Sequence, residues 1–225
     1  MRLLKVIGRW LFILAIPLFC LSLAISWEIA TPAIYRYGFE KYDVAEASGI
    51  THEELNTIAL KFPEYFNSAD EFIDITVTRD GKPSPLFTEE ELVHFRDVKD
   101  LIRLDRRILF ISLGYILFYL AVSLLGRESR LNLSRAFITG SGLTLGLLLI
   151  LAVGSTLDFS GLFLKFHELS FSNLYWSAPG YMTVLFPEGF WRDVAFLTML
   201  VSSIFALGFG IPGYLWLRYM RRHER

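Results

Sequence analysis

Four stretches of this chain carry no charged residue and are long enough to cross a membrane, and they constrain the fold more than any other feature. They run from Trp10 to Trp27, Ile108 to Leu125, Ala136 to Leu157 and Val194 to Leu217, or 18, 18, 22 and 24 residues. A helix needs roughly 20 residues to cover the hydrocarbon layer of a bilayer. Inside lipid each backbone donor must find its partner within the protein, which makes a helix the natural form for such a run. Composition agrees. With 53% hydrophobic and only 20% charged residues, the chain is too apolar for an ordinary soluble domain. The fold class expected is therefore membrane all-α, with four transmembrane helices.

The first run has a second reading. Arg2, Lys5 and Arg9 precede it and Ala24 and Ser26 resemble a cleavage site, as in a secretory signal. Its length and the three later spans favour an uncleaved anchor. The single cysteine, Cys20, lies within it, which rules out a disulfide framework inside one chain.

Orientation follows from where Lys and Arg fall in the short segments. Arg2, Lys5 and Arg9, then Arg127, Arg130 and Arg135, then the closing RYMRRHER all lie on one side of a four-span arrangement, and that side is read as cytoplasmic. The organisation expected is an N-terminal tail and first span (1–27), an extracytoplasmic domain (28–107), the second span (108–125), a cytoplasmic loop (126–135), the third span (136–157), an extracytoplasmic loop (158–193), and the fourth span with a basic cytoplasmic tail (194–225). The bacterial plasma membrane is the location this implies. The 28–107 segment carries 17 Asp and Glu against 10 Lys and Arg, an asymmetry hidden in the overall charge of −1. Nothing in it points to nucleic acid.

That long outer segment contains elements of its own. Thr51 with Glu54 in THEE and Thr88 with Glu91 in TEEE have the spacing of a reciprocal helix cap, so helices should start near residues 52 and 89. Between them IDITVTRDGKPSPLF alternates around Asp80-Gly81 and reads as a short hairpin. In the third span Gly142 and Gly146 have the spacing that lets membrane helices approach closely, and intramolecular packing is the expectation. In the fourth, Pro212 and its flanking glycines should kink or loosen the helix.

Only four histidines exist. His223 sits in the basic tail and His52 follows a capping threonine, so both read as solvated. His94 falls on the apolar face that Leu92, Phe95, Val98, Leu101 and Ile102 form at helical spacing, with Asp97 close by. Taken alone, that helix describes a core histidine bonded to a local acid. A continuous helix would hold His94 about 21 Å from the second span, so the stretch is expected to break near Arg106 and Arg107 and lie flat on the outer leaflet. That would bring His94 to the depth of His167, which sits in the aromatic segment SGLFLKFHELSFSNLYWSAPG. Two imidazoles at one depth suit acid and base catalysis on a lipid-linked group. A zinc site is the alternative chemistry, but HELSF has Phe171 where the HExxH motif needs its second histidine. A non-catalytic membrane protein with a partner-binding outer domain is the alternative of another class.

EEELVHFRDVKDL and KFHELSFSNLYWSAPGYMTVLFPEGFWRD resemble the two signature regions of the lipoprotein intramolecular transacylase family, bacterial four-span membrane proteins. The order of spans and the long first outer loop are similar too. In that family's pattern an acid follows the asparagine, where this chain has Leu174. The resemblance implies an acyltransferase that moves the sn-2 acyl chain of a diacylglyceryl-modified lipoprotein cysteine to the α-amino group of the same cysteine, giving the lyso form. It implies that His94 and His167 are the catalytic pair, acting without cofactor or metal, and that lipid-modified lipoproteins and membrane lipids are the partners. His167 is expected to be the base and His94 the donor. Asp97 could orient His94, Asn173 could donate to an oxyanion and Trp176 could pack the lipid. Each also has a plain reading as helix surface charge, loop hydrogen bonding or interfacial anchor.

Overall fold

The computed structural model describes residues 2–79, 81–124 and 127–222. Asp80 of the expected turn, Leu125 at the end of the second run and His223 lie outside the described residues. In chain order the elements are α1 (Arg2–Ile29), α2 (Pro32–Lys41), α3 (Val44–Ser48), α4 (His52–Asn67), β1 (Thr76–Arg79), β2 (Lys82–Pro85), α5 (Glu89–Leu124), α6 (Arg127–Ser170), α7 (Tyr181–Leu185) and α8 (Glu188–Arg222). A 3-10 turn, Tyr175–Ser177, lies between α6 and α7. Helices α1, α5, α6 and α8 contain the uncharged runs, the second as far as Leu124, and are long and apolar enough to cross a membrane. Helix α6 begins at Arg127, so the segment read as a cytoplasmic loop of residues 126–135 is helical from 127 onward.

The chain divides into two compact units. One combines α1 up to Ile25, residues 105–153 and residues from 197 onward. Its centre is Phe12, Ile13, Ile16 and Cys20 of α1 packed with Ile116, Leu133, Ala136 and Ala206. Lipid tails are as apolar as these side chains, so the contact must come from close fit rather than from expulsion of water. Gly140 supplies it. A Cβ there would fall 2.5 Å from Ile16 Cδ1 and 3.1 Å from the Ile13 carbonyl. The expected contact glycines, Gly142 and Gly146, meet nothing within 4 Å. This corrects the sequence reading, and the reason is helical phase: two residues are 200° of rotation, which puts Gly142 on the face opposite Gly140. Thr144, one turn after Gly140, is fully buried and bonds the Gly140 carbonyl at 2.8 Å. Helix α8 stays helical through Pro212, and its neighbours Gly210 and Gly213 serve close packing against Ser141 and Phe137.

The second unit comprises Ser26–Leu104 and Gly154–Phe196. Phe62 is at its centre, with no exposed surface, stacked on Tyr35 at 5.5 Å and edge-on to Phe186 at 4.9 Å. Both expected helix caps are present. Thr51 and Glu54 form the reciprocal pair that starts α4, and Thr88 and Glu91 form the one that starts α5. Strands β1 and β2 pair antiparallel with Arg79 opposite Lys82, and Gly81 in the turn takes a positive φ of 71°. The hairpin is tied to α4 because Thr78 N donates to Glu54 Oε1 at 2.9 Å.

Two long helices depart from the sequence reading within this frame. Helix α5 does not break near Arg106 and Arg107 but is continuous from Glu89 to Leu124. Its sequence has no Gly or Pro between 89 and 113, Arg is a good helix former, and Arg103 pairs with Asp100 at 2.8 Å, so nothing there favours an interruption. Helix α6, in contrast, kinks at Asp158 (φ −154°, ψ 81°), at the end of the third uncharged run. Asp158 Oδ1 accepts from Gly161 N at 2.8 Å, capping a new helical segment that ends in Ser170.

Candidate active site

The second unit brings the two singled-out histidines together. His94 lies in the second turn of α5 and His167 in the last turn of α6, both outside the uncharged runs. Their ring centroids are 6.2 Å apart and nearly parallel at 28°. His94 is 6% exposed and His167 7%. Aromatic rings make the walls: Phe171 meets His94 edge-on at 4.9 Å, while Phe163 and Trp176 lie 4.3 and 5.0 Å from His167.

The segment beyond Asp158 dictates how His167 is held. Because it is helical, Phe163 stands four residues before His167 and its carbonyl accepts from the imidazole Nδ1–H at 2.7 Å. A carbonyl can only accept, so Nδ1 carries the proton and a neutral ring has its lone pair on Nε2. His94 differs: its Nδ1 is buried with no hydrogen-bond partner. Buried bare acceptors are tolerated better than orphaned N–H groups, which favours the tautomer with the proton on Nε2. The pair thus offers one basic nitrogen and one N–H.

Electrostatics keeps both rings neutral. Burial lowers the His94 pKa to about 4, assisted by the like charge of a protonated His167 and opposed by Asp97. Burial also lowers His167, against the pull of the Phe163 carbonyl. The cause in both cases is the cost of placing a cation in a wall of rings.

The remaining candidates are organised around this pair. Asp97 makes no bond to His94 Nδ1; its Oδ2 accepts from Asn173 Nδ2 at 2.8 Å. Asn173 is committed at its other end too, since its Oδ1 accepts from Tyr175 N at 3.0 Å. Trp176 packs on His167. Glu168, which follows His167 in the motif-like HELSF, turns to Lys165 at 2.6 Å. Among the described residues no three His, Cys, Asp or Glu side chains gather in a group able to hold a metal.

Two features escape a reading of the sequence. The Phe163 carbonyl becomes visible only once residues 159–170 are known to be helical. Glu91, legible as a helix cap, also accepts from Met182 N at 2.6 Å and has no exposed surface. Gly180, which has no side chain to collide with that carboxylate, was its only available signal.

Comparison with known proteins identifies the family and the fold. The sequence matches the family described as lipoprotein intramolecular transacylase Lit over residues 10–191. The solved structure of the membrane-integral lipoprotein intramolecular transacylase Lit from Bacillus cereus has a TM-score of 0.77 at 17% identity, covering 100% of this chain and 99% of that one. Two forms of the same Bacillus cereus protein, with one histidine replaced by arginine or by alanine, give TM-scores of 0.73 and 0.74 at 18% identity, over 99% of this chain and 94% and 96% of theirs. No curated protein matches. At such identities the structural likeness is one of fold, and the family rests on the sequence match across most of the chain. The chain belongs to the lipoprotein intramolecular transacylase family and is a membrane-integral acyltransferase.

Proposed function

We propose that this chain transfers the sn-2 acyl chain of a diacylglyceryl-modified lipoprotein cysteine to the α-amino group of that cysteine, producing the lyso form, with His167 as base and His94 as donor. The observation that carries this reading is the pair itself: two buried imidazoles with ring centroids 6.2 Å apart, one with Nδ1 fixed on a carbonyl. The α-amino nitrogen attacks the sn-2 ester carbonyl, so a C–N bond forms and an oxyanion develops. The attacking nitrogen becomes an ammonium in the adduct, more acidic than the free α-ammonium because of the oxygens on the adjacent carbon, and His167 Nε2 takes its proton. His94 holds the oxyanion through its N–H. As the C–O bond to glycerol breaks, the sn-2 oxygen leaves with a proton from the histidine pair, which ends with the protons it began with. No cofactor enters this balance. Amine and ester belong to one molecule, so holding them in contact supplies a large effective concentration.

The wall supports a lipid substrate. Phe166, whose ring lies 5.4 Å from that of His167, is partly exposed, and Leu169 and Leu174 are exposed in the same stretch of chain, so the segment offers apolar surface to acyl chains. The Lys and Arg distribution supports an extracytoplasmic site with both termini in the cytoplasm.

The test is mass spectrometry of a synthetic diacylglyceryl-cysteine lipopeptide after reaction. His94→Ala and His167→Ala should each reduce N-acylation by on the order of a hundredfold or more, while His52→Ala stays near wild type. In a mixture of isotopically distinct lipopeptides, each N-acyl chain should carry the label of its own glyceryl group. Wild-type rates in either site variant, or scrambled labels, would overturn the mechanism.

A further inference from the structure

Glu91 has the chemistry of a helix cap and a burial that capping does not need. Its Oε2 accepts from Thr88 N at 2.8 Å and Thr88 Oγ1 at 3.2 Å, closing the reciprocal cap of α5. The same cap at the start of α4 uses Glu54, and there the carboxylate stays partly open to solvent. Glu91 is instead 0% exposed. Sealing a carboxylate from water is expensive unless donors replace its hydration, and the extra donor is remote: Met182 N reaches Oε1 at 2.6 Å. The segment before α7 comes so close that a Cβ on Gly180 would collide with all three carboxyl atoms. Gly180 has extended backbone, φ 170°, so its lack of a side chain answers this approach rather than a turn.

The positions on α5 give the contact its meaning. Glu91 and Asp97 lie three residues before and three after His94, and Asp97 accepts from Asn173 at 2.8 Å. The 173–182 segment is therefore fastened at both ends to α5, across about 9 Å of helix rise centred on His94. Between the fastenings it carries Trp176, whose ring lies 5.0 Å from His167. We infer that Glu91 is a positioning residue for the transacylation: through Met182 N and the Gly180 approach it holds the 173–182 segment, and with it Trp176, against the paired imidazoles. This rests on the proposed role of His94 and His167. Misplacement of a positioning shell by about 1 Å can cost two orders of magnitude in rate, so the effect belongs in kcat.

The experiment is a double-mutant cycle in the full-length protein, read as kcat and KM on the synthetic diacylglyceryl-cysteine lipopeptide. Gly180→Ala should lower kcat by about tenfold or more with KM changed less than twofold, because the new methyl pushes the segment off the carboxylate. Glu91→Ala should lower kcat by a similar factor. In the Glu91→Ala background Gly180→Ala should have almost no further effect, since the atoms it strikes are gone. Glu54→Ala removes the matching cap and its bond to the hairpin; it should lower the melting temperature and leave kcat unchanged. Equal losses from Gly180→Ala in both backgrounds, or wild-type kcat in Gly180→Ala, would overturn the inference, and the latter decides it alone if Glu91→Ala fails to fold. His94→Ala and His167→Ala run in parallel keep the two levels apart. Loss there with wild-type kcat in the Gly180 variant refutes only Glu91, whereas activity in both histidine variants refutes the underlying reading.

Discussion

The protonation state of His94 is the quantity on which the proposed chemistry depends most directly, and it can be measured. A free imidazole has a pKa of 6.5, and burial with His167 close by lowers that of His94 to about 4. The gap corresponds to about 3 kcal/mol in favour of the neutral ring. The sign follows from proton binding. Between about pH 4 and 6.5 the unfolded chain carries a proton at this position that the folded protein excludes, so stability is fully present above 6.5 and falls as the pH drops through that window. The chain has only four histidines, so selective 13C labelling of imidazoles gives a spectrum simple enough to assign with single replacements. The His94 resonance should remain that of a neutral ring from pH 8 down to about 5. In His167→Gln the midpoint should rise, because a like charge is removed. In Asp97→Asn it should fall further, because the one group that favours the cation is lost. A His94 that titrates at or above 6.5 in the folded protein would refute the argument, since the buried, ring-walled geometry would then not control its charge.

Two further outcomes test the frame around the site. Single cysteines at Ser84 and Ser129 in a Cys20→Ser background should label from opposite sides of the membrane with an impermeant reagent; labelling from one side would reject the proposed topology. Gly140→Leu should destabilise the protein by about 2 kcal/mol or more through overpacking against Ile13 and Ile16, read as a drop in melting temperature, while Gly142→Leu, whose Cβ meets nothing within 4 Å, should be nearly silent.

Most of the architecture was legible because its signals are local and periodic. Absence of charge over 18 or more residues marks a span regardless of tertiary context, and both Thr-x-x-Glu caps are complete within four residues. The aromatic motif around His167 was legible as a candidate site, but not as a helix: its apolar side chains are nearly continuous from Leu162 to Phe166, which removes the amphipathic rhythm that would reveal one. The Phe163 acceptor was hidden with it. Residues Glu91 and Met182 are 91 positions apart, and no local rule brings them together. Packing phase was unreadable for a similar reason. Gly140, Gly142 and Gly146 are equivalent as letters, and only the position of α1 selects the first. The expected break in α5 failed because it was deduced from where His94 needed to be, whereas the residues around Arg106 are good helix formers.

Weak bases are an advantage if the enzyme must transfer an acyl chain and avoid hydrolysing it. On the proposed reading the ester carbonyl is activated beside water at a membrane surface, and a water molecule taking the place of the amine would release fatty acid. Water has a pKa of about 15.7, far above that of any imidazole, so it needs a strong general base. The nitrogen of a tetrahedral amine adduct is acidic enough to give its proton to a weak one. A histidine pair whose pKa values are lowered by burial therefore discriminates in favour of the amine, and the rings of Phe163, Phe171 and Trp176 limit the space for water. Blocking the amine tests this directly. With an N-acetylated diacylglyceryl lipopeptide the enzyme has an ester but no acceptor, so it should produce neither N-acylated product nor fatty acid above the background of the His167→Ala variant. Trp176→Ala, which opens the wall beside His167, should raise fatty acid release from the unblocked lipopeptide relative to transfer. Rapid hydrolysis of the acetylated substrate by the wild-type protein would show that the pair activates water as readily as an amine, and the discrimination would have to lie elsewhere than in these two lowered pKa values.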